Sequence, residues 1–230
     1  LNIDNIMVRY ERLKDYEFDI HNIPFTITNM KKTSLNRTFM GESYLIVTHK
    51  NDYYNLNLIS DKFQDVARSR ARRYNESKTV HEYWKQNYSQ VIELAKKIKG
   101  RATVYTCREI LYANVGIHEP SFFRPSLLAG FLNLYKQKGL NHEFPQFHRI
   151  LDISAGWGDR LIAAIACGVD FYYGTDPNPL LTEGYAEIKQ TFGADPDKFV
   201  TVCEPFQTAK IPSCEYDLVF TSPPYYNLEI

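Results

Sequence analysis

Little in this chain invites a covalently stapled, metal-bound or membrane-bound reading. Its 230 residues hold four cysteines, Cys107, Cys167, Cys203 and Cys214, with no CxxC pair and no metal-ligand spacing. The thiols therefore read as reduced and intracellular, in cytoplasm or nucleoid, or in a host cell if the source is viral. Six histidines are scattered without ligand spacing and are assigned no metal. No stretch approaches the roughly 18 uncharged apolar residues of a membrane span, and no signal peptide is visible. Internal repeats and low-complexity linkers are missing as well. Net charge is zero, 27 basic against 27 acidic residues. What is present, 44% hydrophobic and 23% charged residues, is ordinary globular usage and excludes wholesale disorder. The length suits one domain plus a smaller attachment.

The zero balance hides an asymmetry. Residues 1–120 carry 19 Lys/Arg against 14 Asp/Glu, and residues 121–230 carry 8 against 13. Within 62–101 the count is 11 to 4. Such a division suggests that the first half meets something anionic, the alternative being a solvated helix face. The candidates for phosphate contact are Arg68, Arg72 and Arg73, in a helix expected over 61–74, with Arg68 and Arg72 as i,i+4 neighbours.

Periodicity organises the rest. Residues 43–48 and 53–59 read as the strands of a β-hairpin, with Tyr54, Leu56 and Leu58 on one face and Asn55 and Asn57 on the other. Thr79 and Glu82 form a capping box for a helix that should bury Val80, Trp84, Tyr88, Val91, Ala95 and Ile98 and stop at Gly100. A further helix is expected over 105–115. From 121 the texture changes: a helix from Pro125, then strands at 148–154, 171–176, 198–203 and 216–221 alternating with helices at 158–166 and 179–192. Alternation of this kind means parallel βαβ units and an open α/β sheet. The expected division is a smaller mixed α+β domain over 1–110 and an α/β domain over 111–230.

Asp152-Ile-Ser154-Ala-Gly156-Trp-Gly158 joins a predicted strand to a predicted helix. Two glycines permit a sharp turn and close approach of a ligand to the main chain. Asp176 ends the next strand, 18 residues after Gly158, where a carboxylate can accept bonds from ribose hydroxyls. A dinucleotide fingerprint would need a third glycine at the position held by Leu161, and no Walker lysine follows. A nucleoside-containing cofactor without a pyrophosphate fits best, and S-adenosylmethionine is one.

These residues resemble motif I (Asp152 to Gly158) and motif II (Thr175-Asp176-Pro-Asn) of class I S-adenosylmethionine-dependent methyltransferases. Thr221-Ser222-Pro223-Pro224-Tyr225 resembles motif IV of DNA amino-methyltransferases, in which Asp, Asn or Ser precedes Pro-Pro and an aromatic residue. Phe122-Phe123-Arg124-Pro125 is similar to their motif X, and Glu204 stands where motif III would bring a polar contact toward the adenosine. The wording looks most like DNA methyltransferases of phages and large viruses. The resemblance covers about 120–230; motifs I and IV are specific in combination, III and X are loose. It implies a Rossmann-like S-adenosylmethionine methyltransferase domain carrying strands 1 to 4 of the usual seven, hence incomplete at its C-terminal end. It implies cofactor contacts from Phe123, Arg124, Asp152, Ser154, Gly156, Gly158, Asp176 and Glu204, and chemistry at Ser222, Pro223, Pro224 and Tyr225.

The motif IV residue types suit methylation of a base amine. The exocyclic amine of cytosine (N4) or adenine (N6) is a poor nucleophile, because its lone pair is delocalised into the ring. The Pro223 carbonyl and Ser222 hydroxyl can accept its two N–H bonds and turn the lone pair toward a methyl donor. Serine is a poor proton acceptor, so the proton should leave to water. Tyr225 offers a flat face for a base taken out of the duplex. DNA is the expected partner, with RNA left open. The alternatives are an RNA or protein amine methyltransferase, and a non-catalytic nucleic-acid-binding subunit that keeps the fold.

Overall fold

The computed structural model describes residues 2–24, 43–48, 56–73, 76–120, 123–136 and 148–221. Helix α1 (Ile3–Lys14) is followed by β1 (Asp19–Pro24) and β2 (Ser43–Thr48). Three helices come next: α2 (Asp61–Arg70), α3 (Val80–Lys99) and α4 (Val104–Ile110), the last continued by a π-helical turn over Leu111–Val115. Helix α5 (Pro125–Lys136) leads into β3 (Arg149–Asp152), α6 (Asp159–Ala166), β4 (Phe171–Thr175), α7 (Thr182–Thr191), β5 (Phe199–Val202) and β6 (Leu218–Val219).

The chain is an α/β protein built on a four-stranded parallel sheet of order β5-β4-β3-β6. From β3 the chain steps through β4 to β5 in one direction, then returns to place β6 on the other side of β3. The strand order therefore reverses between β3 and β6, and open α/β sheets bind ligands in the crevice outside the carboxyl ends of the strands at such a point. The α6 and α7 crossovers run the same way, so their right-handedness places both helices on one face. There α1 and α5 pack on α6, and α2 packs on α7. The strands and helices expected over 148–221 are all present, the strand expected over 216–221 shortened to Leu218–Val219 and the helix expected over 179–192 beginning at Thr182 after a 3-10 turn.

Two apolar cores follow. The larger joins Ile6, Leu13, Leu56, Ile59 and Phe63 to Leu128, Ile150, Leu161, Ile162, Tyr172 and Ile188. It thus draws on residues from both sides of the division expected at 110. The smaller lies between α3 and α4 and consists of Val80, Val91, Ala95, Cys107, Ile110 and Leu111. Among the described residues, no helix is long and apolar enough to cross a membrane.

Three local expectations are corrected. The strand over 43–48 pairs antiparallel with β1, and the described part of the expected second strand, 56–59, is not a strand. Leu56 is helical and 57–60 form a turn into α2, while 53–55 lie outside the described residues. The apparent alternation misled because Leu56 and Ile59, three apart, are the pair that enters the core. Asn57, expected on the solvent face, is buried and accepts bonds from the Ser126 amide (3.3 Å) and hydroxyl (2.8 Å) at the start of α5. Helix α2 ends at Arg70, since Ala71 is extended (φ −80°, ψ 143°). Helix α3 has the expected capping box and a left-handed Gly100. It buries Val80, Val91 and Ala95 but leaves Tyr88 and Ile98 exposed. Its regular phase breaks at Asn87 (φ −131°), whose side chain donates to the Tyr83 carbonyl at 3.0 Å.

Candidate active site

The carboxyl end of β3 runs into the glycine turn. Gly156 (φ 58°) and Gly158 (φ 82°) both take the left-handed conformation that side chains disfavour. At Gly158 a Cβ would also lie 2.7 Å from Ile188 Cδ1, so a side chain there would have to displace that methyl on α7. At Gly156, among the described residues, a Cβ would meet only Ser154 O, at 3.8 Å. Among the described residues the turn is thus tight on its core side and open on the other.

Asp152 anchors the turn from below. It is fully buried. It accepts Arg160 Nε at 2.7 Å and Nη2 at 3.1 Å, the Tyr172 hydroxyl at 2.8 Å and the Ser154 amide at 3.2 Å. Arg160, 3% exposed, also donates to the Ser154 carbonyl. Its guanidinium stacks over the Phe123 ring, 5.0 Å from the centroid. Burial works against the Arg160 charge, but adjacent Asp152 outweighs it and raises the pKa. Burial, and then Asp152, push the Tyr172 phenol well above its ordinary value. These groups are internally satisfied, so Asp152 shapes the turn rather than facing a ligand.

Asp176 does face the crevice. It follows β4, is partly exposed, and accepts the Gly156 amide at 2.9 Å through Oδ2 and the Asn178 amide at 2.9 Å through Oδ1. Burial raises its pKa, against the two amides that stabilise the charge. Each oxygen keeps acceptor capacity beyond its amide. The Tyr185 hydroxyl donates to the Gly156 carbonyl and ties the turn to α7.

The end of β6 reaches the same turn. Phe220 N–H donates to the Leu151 carbonyl at 3.0 Å, and the Thr221 and Ser154 hydroxyls are 2.5 Å apart. Phe220 packs edge-on against Phe123, centroids 5.6 Å apart. The residue that opens the Thr-Ser-Pro-Pro-Tyr motif is thereby in contact with the glycine turn, while Ser222, Pro223, Pro224 and Tyr225 lie outside the described residues.

The other candidate contacts are more dispersed. Phe123 stands against the turn through Arg160, and Arg124 is exposed just before α5. Glu204 is exposed beyond β5, two strands from β3. Arg160 has no part in the motifs above, although its place in the first turn of α6, eight residues from Asp152, is a usable signal in the sequence. Tyr185 carries no local signal, because only packing of α7 brings it to Gly156.

The phosphate assignment of Arg68 is corrected. Arg68 is 5% exposed, with Asp61 at 2.6 Å and Glu119 at 3.1 Å. A guanidinium already paired with two carboxylates and sealed from solvent cannot hold a phosphate as well. Arg72 and Arg73 are exposed but lie beyond the end of α2, so the expected i,i+4 face with Arg68 does not form. Arg72 stands 3.9 Å from Glu82.

Comparison with protein-family models, curated proteins and solved structures found no match to this chain.

Proposed function

We propose that the chain binds S-adenosylmethionine in the crevice between β3 and β6 and transfers its methyl group to an exocyclic amine of a nucleic-acid base, cytosine N4 or adenine N6 in DNA. The observation that carries this reading is the meeting of three elements at the point where strand order reverses. They are the left-handed Gly156 turn, the Asp176 carboxylate tied to it, and Thr221 at the head of the Ser-Pro-Pro-Tyr sequence. The residues fit the cofactor: Asp176 has acceptor capacity for a ribose diol, and among the described residues Gly156 leaves space where a side chain would stand. S-adenosylmethionine, when bound, supplies an electrophilic methyl group. In this reading Ser222 and the Pro223 carbonyl accept the amine N–H bonds, Tyr225 stacks the base, and much of the remaining acceleration is positioning of two reactants. Glu204, Phe123 and Arg124 would border the cofactor. The nucleic-acid partner belongs to the same proposal.

Two tests address it. Titration calorimetry should show S-adenosylmethionine binding that Asp176→Ala weakens by about 1–3 kcal/mol, the value of a lost charge-assisted hydrogen-bond pair. Unchanged affinity would remove Asp176 from the site, and no binding by the parent chain would end the cofactor assignment. For chemistry, single-turnover transfer of labelled methyl to DNA should fall roughly 10- to 100-fold in Tyr225→Ala, which loses a stacking contact worth about 1–3 kcal/mol. Tyr225→Phe should retain most of the rate. Ser222→Ala should slow transfer with binding nearly unchanged. Nucleoside analysis identifies the base, and parallel RNA and protein substrates separate the alternative acceptors. Binding of cofactor and DNA without any transfer would favour the non-catalytic subunit.

A further inference from the structure

Strands β3 and β6 run parallel with Leu151 opposite Val219. Ser154 and Thr221, three and two residues further on, therefore leave the sheet at the same end. The main chain of Ser154 is fully engaged in the glycine turn: its amide donates to Asp152 at 3.2 Å and its carbonyl accepts Arg160. Asp152 and Arg160 are buried and paired with each other at 2.7 Å, so the Ser154 backbone is fixed from both sides. Its hydroxyl remains, and this lies 2.5 Å from the Thr221 hydroxyl, within the range of an O–H···O bond.

Thr221 stands where the sheet stops holding the chain. The Phe220 N–H bond to the Leu151 carbonyl, at 3.0 Å, is the last main-chain bond from the end of β6 to β3 among the described residues. The Phe220 ring is gripped by Phe123 and Phe131, with centroids 5.6 and 5.8 Å away. Pro223 and Pro224 follow two and three residues after Thr221. Neither has an N–H, so neither can donate to a neighbouring strand. Among the described residues, the Thr221 hydroxyl is thus the next tie between this segment and the turn.

We propose that Ser154 and Thr221 are positioning residues, whose hydroxyl pair holds Ser222-Pro223-Pro224-Tyr225 against the glycine turn and so sets the separation between methyl donor and acceptor amine. This gives the Ser154 hydroxyl to the acceptor segment, not to the cofactor. The inference rests on the methyl-transfer reading above. In a transfer between two bound groups the approach of the reacting atoms decides the rate, and a misplacement of about 1 Å can cost about 100-fold. A hydrogen bond that bears on this geometry acts on the transfer step and leaves binding of the cofactor nearly untouched.

Two measurements on the full chain test it. In single-turnover methyl transfer to DNA, Thr221→Val keeps the side-chain shape without the hydroxyl and should be about tenfold slower than the parent, as should Ser154→Ala. Thr221→Ser should recover most of the rate. S-adenosylmethionine affinity should change by less than about twofold in each variant. The double variant Ser154→Ala/Thr221→Val should also be about tenfold slower, not about 100-fold, because the same contact is removed either way. Hydrogen–deuterium exchange, read without cofactor or DNA, should quicken in the peptide 222–230 in both single variants and match the parent in peptides from α3. Parent-like transfer or parent-like exchange in the two single variants overturns the inference, as does additive slowing in the double variant. Loss of S-adenosylmethionine affinity in Ser154→Ala returns that hydroxyl to the cofactor and overturns it too. Failure of the methyl-transfer reading would be distinct: the parent then binds no cofactor and transfers nothing, while the exchange difference between parent and variants still shows the pair holding the segment.

Discussion

Arg160→Met should lower the unfolding free energy by about 3–5 kcal/mol, the range for breaking a buried pair and leaving its partner charged. Asp152 would keep only the Tyr172 hydroxyl and the Ser154 amide, in a site with no solvent access. The Ser154 carbonyl would lose its donor as well. The damage should therefore spread to the glycine turn and weaken S-adenosylmethionine binding, although Arg160 is not placed against the ligand. Urea unfolding measures the first effect and calorimetry the second. The double variant Asp152→Leu/Arg160→Met should recover much of the stability, because an apolar pair of similar volume avoids desolvating charge. A loss below 1 kcal/mol in the single variant would show that water reaches Asp152 or that the turn rests on other contacts.

The second large effect is a pH dependence at Asp159. This residue begins α6, is 2% exposed, and its Oδ1 has no hydrogen-bond partner. Burial raises its pKa from 3.8 to about 7, against the opposing charges of Arg68 and Arg160. The folded chain thus binds the proton more tightly than the unfolded chain. Stability should fall as pH rises from about 4 to 7, and level off above that. By linkage the total is about 4 kcal/mol for a shift of this size. Asp159→Asn should flatten the profile and raise stability at pH 8 while changing little at pH 4. Urea unfolding at several pH values decides it: parallel profiles for parent and variant would mean that Asp159 is paired or hydrated when charged.

These expectations differ in how visible they were beforehand. The capping box at Thr79 and Glu82, the glycine stop at Gly100, and the alternation of strands and helices after 148 were legible because each depends on residues a few positions apart. The left-handed Gly156 and Gly158 and the acidic residue closing β4 were legible for the same reason. The 43–59 hairpin was not, because strand pairing is a long-range choice. The actual partner over 19–24 has no stronger local signature than the expected one.

The charged residues show the limit most clearly. As sequence, Arg68, Arg72 and Arg73 look alike and Lys96, Lys97 and Arg101 look no different. In the folded chain Arg68 is enclosed by Asp61 and Glu119, while the lysines at the end of α3 remain at the surface. Asp152 and Asp176 likewise both end strands, yet Asp152 is closed off by Arg160 and Tyr172 and Asp176 opens to the crevice. Local patterns determined where chain segments turn, start and stop, since backbone conformation and capping are decided within a few residues. Which like residues became buried partners and which stayed available to a ligand depended on contacts between segments 50 to 120 residues apart, and such contacts form only when the whole chain packs.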